Sequence, residues 1–303
     1  DRAREAYRQS PGITAVWRQY CHAAPDEKEQ FGYKDGISHP AIEGSGIAGS
    51  NPQERPLKAG EFVLGYPDEI SDSPTIPQPE ILGRNGSFVA FRKLHQRVAS
   101  FRQYLKENSS TRDSEELLAA KMMGRWRSGA PLALCPIHDE PGVGLDPQRN
   151  NDFLFKSDDA IGYKTPPGSH IRRMNPRDAD VAGLVRIHRM IRRGTAYGPT
   201  LPPNVMEDDG IDRGIMFAFV GANLGRQFEF VQSEWMNDGA FFGGKSDKDP
   251  VSGSGDGTGT FDVPRRPVRM RLNGLQRFVV TRGGEYCFLP GLRAIRWLAD
   301  LKT

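Results

Sequence analysis

Beyond Ile81 the apolar residues fall into short runs of two different periods, and this alternation confines the chain to folds that mix strands with helices. Residues 87–94 alternate with period two and predict a strand, after which Val98, Phe101 and Leu105 mark one face of a helix over 94–106. Asp113-Ser114-Glu115-Glu116 has the capping-box pattern and predicts a helix running through Trp126, with Asp113 accepting the third amide and Glu116 reaching back. Residues 213–220 read as a buried strand, and 222–236 as an amphipathic helix turning Leu224, Phe228, Val231 and Trp235 to the core. Gly283-Gly284, between strand-like runs at 277–281 and 285–288, predicts a tight hairpin, and Leu292, Ile295, Leu298 and Leu301 predict a C-terminal helix. This order describes an α+β sandwich, with an antiparallel sheet and helices on one face.

The segments around these elements are less regular. Residues 1–20 suit a short amphipathic helix, 36–60 an extended Gly/Pro/Ser-rich loop, and 62–64 a short strand. Prolines forbid a continuous helix over 67–79, 127–168 is loop-rich, and the Gly/Ser/Asp-rich stretch 239–263 reads as a mobile surface loop. The natural division is an N-terminal segment 1–80 and a main domain 81–303.

A balance of 41 basic against 38 acidic residues, without a dense basic block, argues against a nucleic-acid partner. No run approaches the ~18 apolar residues of a membrane span, so a soluble chain is expected, cytoplasmic or secreted. Cys21, Cys135 and Cys287 are odd in number and far apart, which suggests reduced structural cysteines rather than a disulfide scaffold or a thiolate metal site. The sequence opens at Asp1 without an initiator methionine or an apolar leader, so the native N-terminus is expected upstream and the compartment stays open.

Three local motifs fail on context. Residues 239–246 satisfy the phosphate-loop pattern, but a helix-like run precedes them and a Gly/Ser/Asp-rich run follows. Gly44-Ser45-Gly46-Ile47-Ala48-Gly49 matches the dinucleotide fingerprint, yet the prolines that follow prevent a helix from starting there. Cys135-Pro136-Ile137-His138 supplies one thiol and one imidazole with no second pair.

The chemistry-bearing pattern is Gly32-Tyr33-Lys34-Asp35-Gly36, one carboxylate between two residues that lack a Cβ and can let backbone approach a flat ligand. Read alone, Asp35 could equally be a turn aspartate. Downstream lie Ser169-His170-Ile171-Arg172-Arg173-Met174-Asn175-Pro176-Arg177 and Ile191-Arg192-Arg193-Gly194-Thr195-Ala196-Tyr197-Gly198. In this order the three blocks resemble the GxxDG loop, the ligand segment and the Arg-x-x-x-x-Tyr-Gly segment of the dye-decolorizing peroxidases. Residues 60–67 and 85–92 resemble further blocks of that family.

The resemblance implies a ferredoxin-like fold of the dimeric α+β barrel superfamily, one haem b per chain, and hydrogen peroxide and aromatic reductants or dyes as substrates. It implies His170 as the iron ligand, although Thr165-Pro166-Pro167 stands where the family has Cys-Pro-Phe. His188 is the rival; on a continuous helix or strand it would share a face with Arg192. His39 is expected to form local hydrogen bonds. Asp35 would be the distal acid–base and Arg192 the charge beside it, with Arg193 as alternate because Ala196 replaces the usual proline. Arg172, Arg173 and Arg177 would pair with the haem propionates, and Ile215 and Phe217 would line the distal pocket. For bulky dyes a surface relay is expected among Trp17, Trp126, Trp235, Trp297, Tyr197 and Tyr286. An aspartate acid–base predicts best dye oxidation in mildly acidic buffer. Family members also carry a large N-terminal half, which points to the haem-binding half here. An N-terminal half, a second chain or a homo-oligomer are the partners left open. The rival function is a haem-binding or haem-handling protein with little turnover.

Overall fold

The computed structural model describes residues 5, 12, 14–22, 26–72, 74–180, 184–241 and 247–301. Its centre is a four-stranded antiparallel sheet of β1 (Ser87–Gln96), β2 (Ile191–Tyr197), β3 (Gly214–Gly221) and β6 (Val279–Leu289), in the order β2-β3-β1-β6. A separate two-stranded ribbon joins β4 (Gly259–Val263) to β5 (Met270–Leu275). The register aligns Arg192 with Phe219 and Ala90, Gly194 with Phe217 and Arg92, and Ala196 with Ile215 and Leu94. Residues directly opposite one another share a face, so Arg192, Ile215, Phe217, Arg92 and Leu94 all project to one side.

Helix α1 (Val98–Glu107) buries Val98, Phe101 and Leu105, as its spacing predicts, and starts only where β1 has ended. It packs against α2 (Arg112–Met123) and the β4–β5 ribbon, with Phe31, Tyr33, Phe261, Leu272 and Phe278 in the same core. The α2 cap differs from the expected one. Thr111 Oγ1 accepts from the Ser114 amide at 3.2 Å and Ser114 Oγ accepts from the Thr111 amide at 3.0 Å, leaving Glu116 free to bind Arg127. The helix stops at Gly124, whose φ of 93° disfavours any other residue.

Three further expectations are corrected, and the C-terminal helix forms as expected. Residues 62–64 form no strand and instead follow a 3₁₀ turn at Ala59–Glu61. No hairpin forms at Gly283-Gly284: β6 runs straight through, paired with Lys93 and Arg92, and the register shifts beside this pair. Glycine is required at 284 because a Cβ would lie 2.3 Å from the Phe91 carbonyl oxygen, so the dipeptide marks close strand approach rather than a turn. Residues 239–263 are not simply a surface loop, since they contain β4 and the buried Asp249. The C-terminal helix α4 (Leu292–Asp300) forms, but Leu292 is 76% exposed and Ile295 48%, with only Ala294 buried.

Residues 14–22 carry no regular structure, and most of the expected helix over 1–20 lies outside the described residues, as does much of the phosphate-loop match at 239–246. The 222–236 segment is helical with π-type turns at Gly225–Glu229 and Val231–Met236, and it buries Phe228, Val231 and Trp235. Among the described residues no helix is long and apolar enough to cross a membrane.

Candidate active site

A cavity of about 450 Å³ lies against one face of the sheet. Arg92, Leu94, Arg192, Ile215 and Phe217 project into it from the strands, while His170, Met174, Val231 and Met236 come from the helical side. Asp35 enters on the Gly-flanked loop. Residues 35, 170 and 192, far apart in sequence, thus border one chamber.

Asp35 and Arg192 form a direct ion pair, and the Gly194 amide donates to the second carboxylate oxygen. The absence of a side chain at 194 permits this approach, because a Cβ there would stand 2.8 Å from Asp35 Oδ2. Gly32 and Gly36 flank the loop with φ of 92° and 74°, the left-handed region that favours glycine. Burial pushes the Asp35 carboxyl up, but the Arg192 guanidinium and the amides of Gly36 and Gly194 outweigh it and hold the group below its ordinary range. Asp35 is therefore a carboxylate at neutral pH. Arg193, the alternate, is exposed on the opposite side of β2 and does not border the cavity.

His170 opens the short helix α3 (His170–Met174). Its Nδ1 donates to Asp249 Oδ2 at 2.8 Å, and Ser252 Oγ stands 3.2 Å from the same nitrogen. Asp249 is held in turn by the amides of Val251 and Ser252, at 3.0 and 2.7 Å. Burial raises its carboxyl, yet His170 and these donors bring it down to about 2. With Nδ1 engaged by Asp249, Nε2 has no hydrogen bond among the described residues and is the ring nitrogen left to ligate a metal. Sequence reading missed Asp249 because it lies in a Gly/Ser/Asp-rich stretch where no spacing distinguishes it.

His188 does not compete. It ends a 3₁₀ turn, stacks on Phe230 with ring centroids 3.9 Å apart, and is engaged through Nδ1 with the Arg226 carbonyl at 2.6 Å. His39 sits beside Gly36, and its carbonyl accepts from Ser50; burial and the Arg192 charge lower its pKa.

The three arginines beyond His170 separate. Arg172 turns into the protein to the Asp159 and Thr165 carbonyls, at 3.0 and 2.8 Å, and Arg173 donates to the carbonyls of Trp235, Asp238 and Asp247. Neither borders the cavity, which corrects their expected role: both are spent on tying loops together. Arg177 does border it, and so does Arg125, which sequence reading missed. These two guanidiniums donate only to carbonyls and to Asn151 Oδ1. Burial brings Arg125 down to about 9, with the Arg192 charge adding to it, and burial with the neighbouring Arg125 charge lowers Arg177 strongly. Two cations at a chamber wall, without a carboxylate ion pair among the described residues, favour an anionic ligand. An imidazole nitrogen without a hydrogen bond among the described residues, a carboxylate–guanidinium pair, apolar walls and two guanidiniums without an ion pair among the described residues form a donor set that fits an iron porphyrin with two propionates. No cluster of three or more His, Cys, Asp or Glu side chains suited to a bare metal ion occurs among the described residues.

Such a chamber sets one imidazole and an acid–arginine pair around a shared cavity. No family model matches the chain. Comparison with individual proteins is decisive. The chain is 36% identical over 313 residues to Peroxidase 2 of Mycetinis scorodonius, covering 94% of this chain and 59% of that protein. It is 35% identical over 285 residues to a dye-decolorizing peroxidase of Exidia glandulosa, covering 88% and 55%. A fungal DyP-type peroxidase from Auricularia auricula-judae superposes with a TM-score of 0.83 at 28% identity, over 97% of this chain and 70% of that one. The chain belongs to the dye-decolorizing peroxidase family and spans about three fifths of the length of the first of these relatives.

Proposed function

We propose that this chain is the haem-binding part of a peroxidase that reduces hydrogen peroxide and oxidises dyes, phenols or other aryl reductants one electron at a time. The observation that carries the reading is the meeting of Asp35, Arg192 and the Asp249-backed His170 around one chamber. His170 would ligate the iron of haem b through Nε2, and Arg125 and Arg177 would receive the propionates. When bound, the haem supplies the electrons that peroxide takes up and later regains them from the reductant. A haem-handling role does not call for an ionised acid locked to an arginine. The ferredoxin-like topology belongs to the same reading. So does a second structural half, matching the remaining length of the relatives and contributed by the same or another chain.

The chain's own contribution is proton placement and charge. Asp35, already ionised, accepts a proton from one oxygen of peroxide and returns it to the other, so that water leaves instead of hydroxide. Arg192 stabilises the negative charge that develops as the O–O bond breaks, and its pairing with Asp35 keeps both groups in place before peroxide arrives. Ile215 and Phe217 give the same space an apolar wall that limits competing water.

The test is titration with haem followed by hydrogen peroxide. The chain should bind about one haem, with a Soret band that responds rapidly to peroxide, and His170→Ala should abolish the native Soret spectrum. A haem complex inert to peroxide would instead favour a handling role.

The pH dependence has a definite sign. Because the Asp35 pKa is lowered, its basic form persists into acid, and the peroxide step should stay level from neutrality down to about pH 4. It should fall only as the pH drops through the folded pKa. A peroxide step that already weakens between pH 7 and pH 5 would contradict this assignment.

A further inference from the structure

Positive charge also gathers away from the chamber, at the tip of the β4–β5 ribbon. One face of this ribbon is committed to the core, where Phe261, Val263, Leu272 and Leu275 are buried in the cluster that α1 and α2 share. Asp262 and Arg271, opposite each other in the register, project to the other side. Residues 264–269 connect the strands, and Arg265, Arg266, Pro267, Val268 and Arg269 are all exposed. Pro267, Val268 and Met270 interrupt the arginines in sequence, so it is the turn of the ribbon that collects the charge.

Asp262 answers part of that charge, pairing with Arg271 at 2.7 Å and with Arg269 at 3.3 Å. Arg265 and Arg266 have no carboxylate ion pair among the described residues. Arg265 Nε donates to the Val268 carbonyl at 3.2 Å, and Arg266 Nε to the Tyr163 hydroxyl at 3.4 Å. Arg266 also lies over the Tyr163 ring, 5.7 Å from its centroid. The tip is not purely charged. Val268 is 69% exposed, Tyr163 beside the ribbon is 40% exposed, and Ile161, two residues before it, 59%. Lys121 Nζ donates to the Tyr163 carbonyl at 3.0 Å, which ties that segment to α2.

We propose that the ribbon tip is a docking site for an anionic lipid surface, with Arg265 and Arg266 among the headgroups, Val268 reaching past them and Tyr163 at the boundary. The apolar apex selects a lipid surface over a soluble polyanion. Guanidiniums alone satisfy a polyanion, and an exposed aliphatic side chain between them adds nothing to its binding. At a bilayer the same side chain leaves water for the acyl boundary while the cations meet phosphate and carboxylate groups. A tyrosine gains there from having one apolar and one wet end. The ribbon is anchored to the core by its buried face, so its tip needs no rearrangement to dock. None of these residues borders the chamber, and docking leaves it free.

The experiment sediments the 303-residue chain with vesicles of phosphatidylserine and phosphatidylcholine, and with vesicles of phosphatidylcholine alone, over a range of salt. The wild type is expected on the mixed vesicles and not on the neutral ones, with binding that falls as salt rises. Arg265→Gln and Arg266→Gln should each weaken binding roughly fivefold. Val268→Ser, which changes no charge, should cost a similar factor. All three side chains are exposed, so thermal melts of the variants should match the wild type. Absence of vesicle binding, equal binding to neutral vesicles, or full binding by Val268→Ser overturns the proposal. Retention on immobilised heparin without binding to the mixed vesicles also overturns it, in favour of a soluble polyanion. The readout needs no haem, so its failure and that of the peroxidase reading are separate results.

Discussion

Arg192→Leu is expected to slow the reaction with hydrogen peroxide by roughly 10²–10³, the usual cost of removing one preorganised donor from developing charge. The substitution acts twice. It removes the fixed positive charge, and it strands the Asp35 carboxylate that Arg192 now holds ionised. Without that partner, burial dominates and the Asp35 pKa rises, so the peroxide step of the variant should weaken at a higher pH than in the wild type. The stability cost is far smaller than the kinetic one. The two side chains are 30% and 21% exposed, and solvent screening keeps the pair to about 1 kcal/mol. Arg192→Lys restores the charge but not the planar fork, and should recover only part of the rate. Stopped-flow traces of the Soret band, beside thermal melts, separate the effects. A Leu variant that reacts with peroxide like the wild type would remove Arg192 from the mechanism.

Asp249→Asn is expected to weaken haem binding by roughly 10–100-fold, the typical result of altering the partner of a metal-ligating imidazole. Asparagine preserves the size of the side chain and one acceptor oxygen, so the turn built on the Val251 and Ser252 amides can survive. What disappears is the charge that fixes the His170 tautomer and strengthens Nε2 as a donor. Nitrogen chemical shifts of His170 in the haem-free protein should show the Nε2-protonated tautomer gaining ground, an effect that a merely destabilised fold would not produce. Haem titration supplies the second measurement. Unchanged affinity together with an unchanged tautomer would reduce Asp249 to a loop anchor.

The different fates of the expected site residues have a common physical origin. Asp35 and Arg192 were legible because both sit in blocks that resemble those of the family, and the structure adds why these positions suit them: an acid between left-handed glycines, and a strand residue with a side-chain-free neighbour at 194. Arg172, Arg173 and Arg177 look equivalent in sequence, yet one turn of helix and the following loop aim them in different directions, and only Arg177 reaches the chamber. Arg125 lies outside every recognised block and becomes relevant only because the end of α2 packs behind the same wall.

The sequence alone determined the strand and helix periods and the α+β class, because these depend on neighbours within a few residues, whereas Asp35 and Arg192, 157 residues apart, were linked through the family resemblance. Only the tertiary structure decided that β6 runs straight through Gly283-Gly284, that the apolar side of α4 faces outward, and that Asp249 backs His170 from 79 residues away. Those outcomes follow from how closely two backbones approach and which surfaces remain to be covered. Such quantities arise between distant segments, and no local period encodes them.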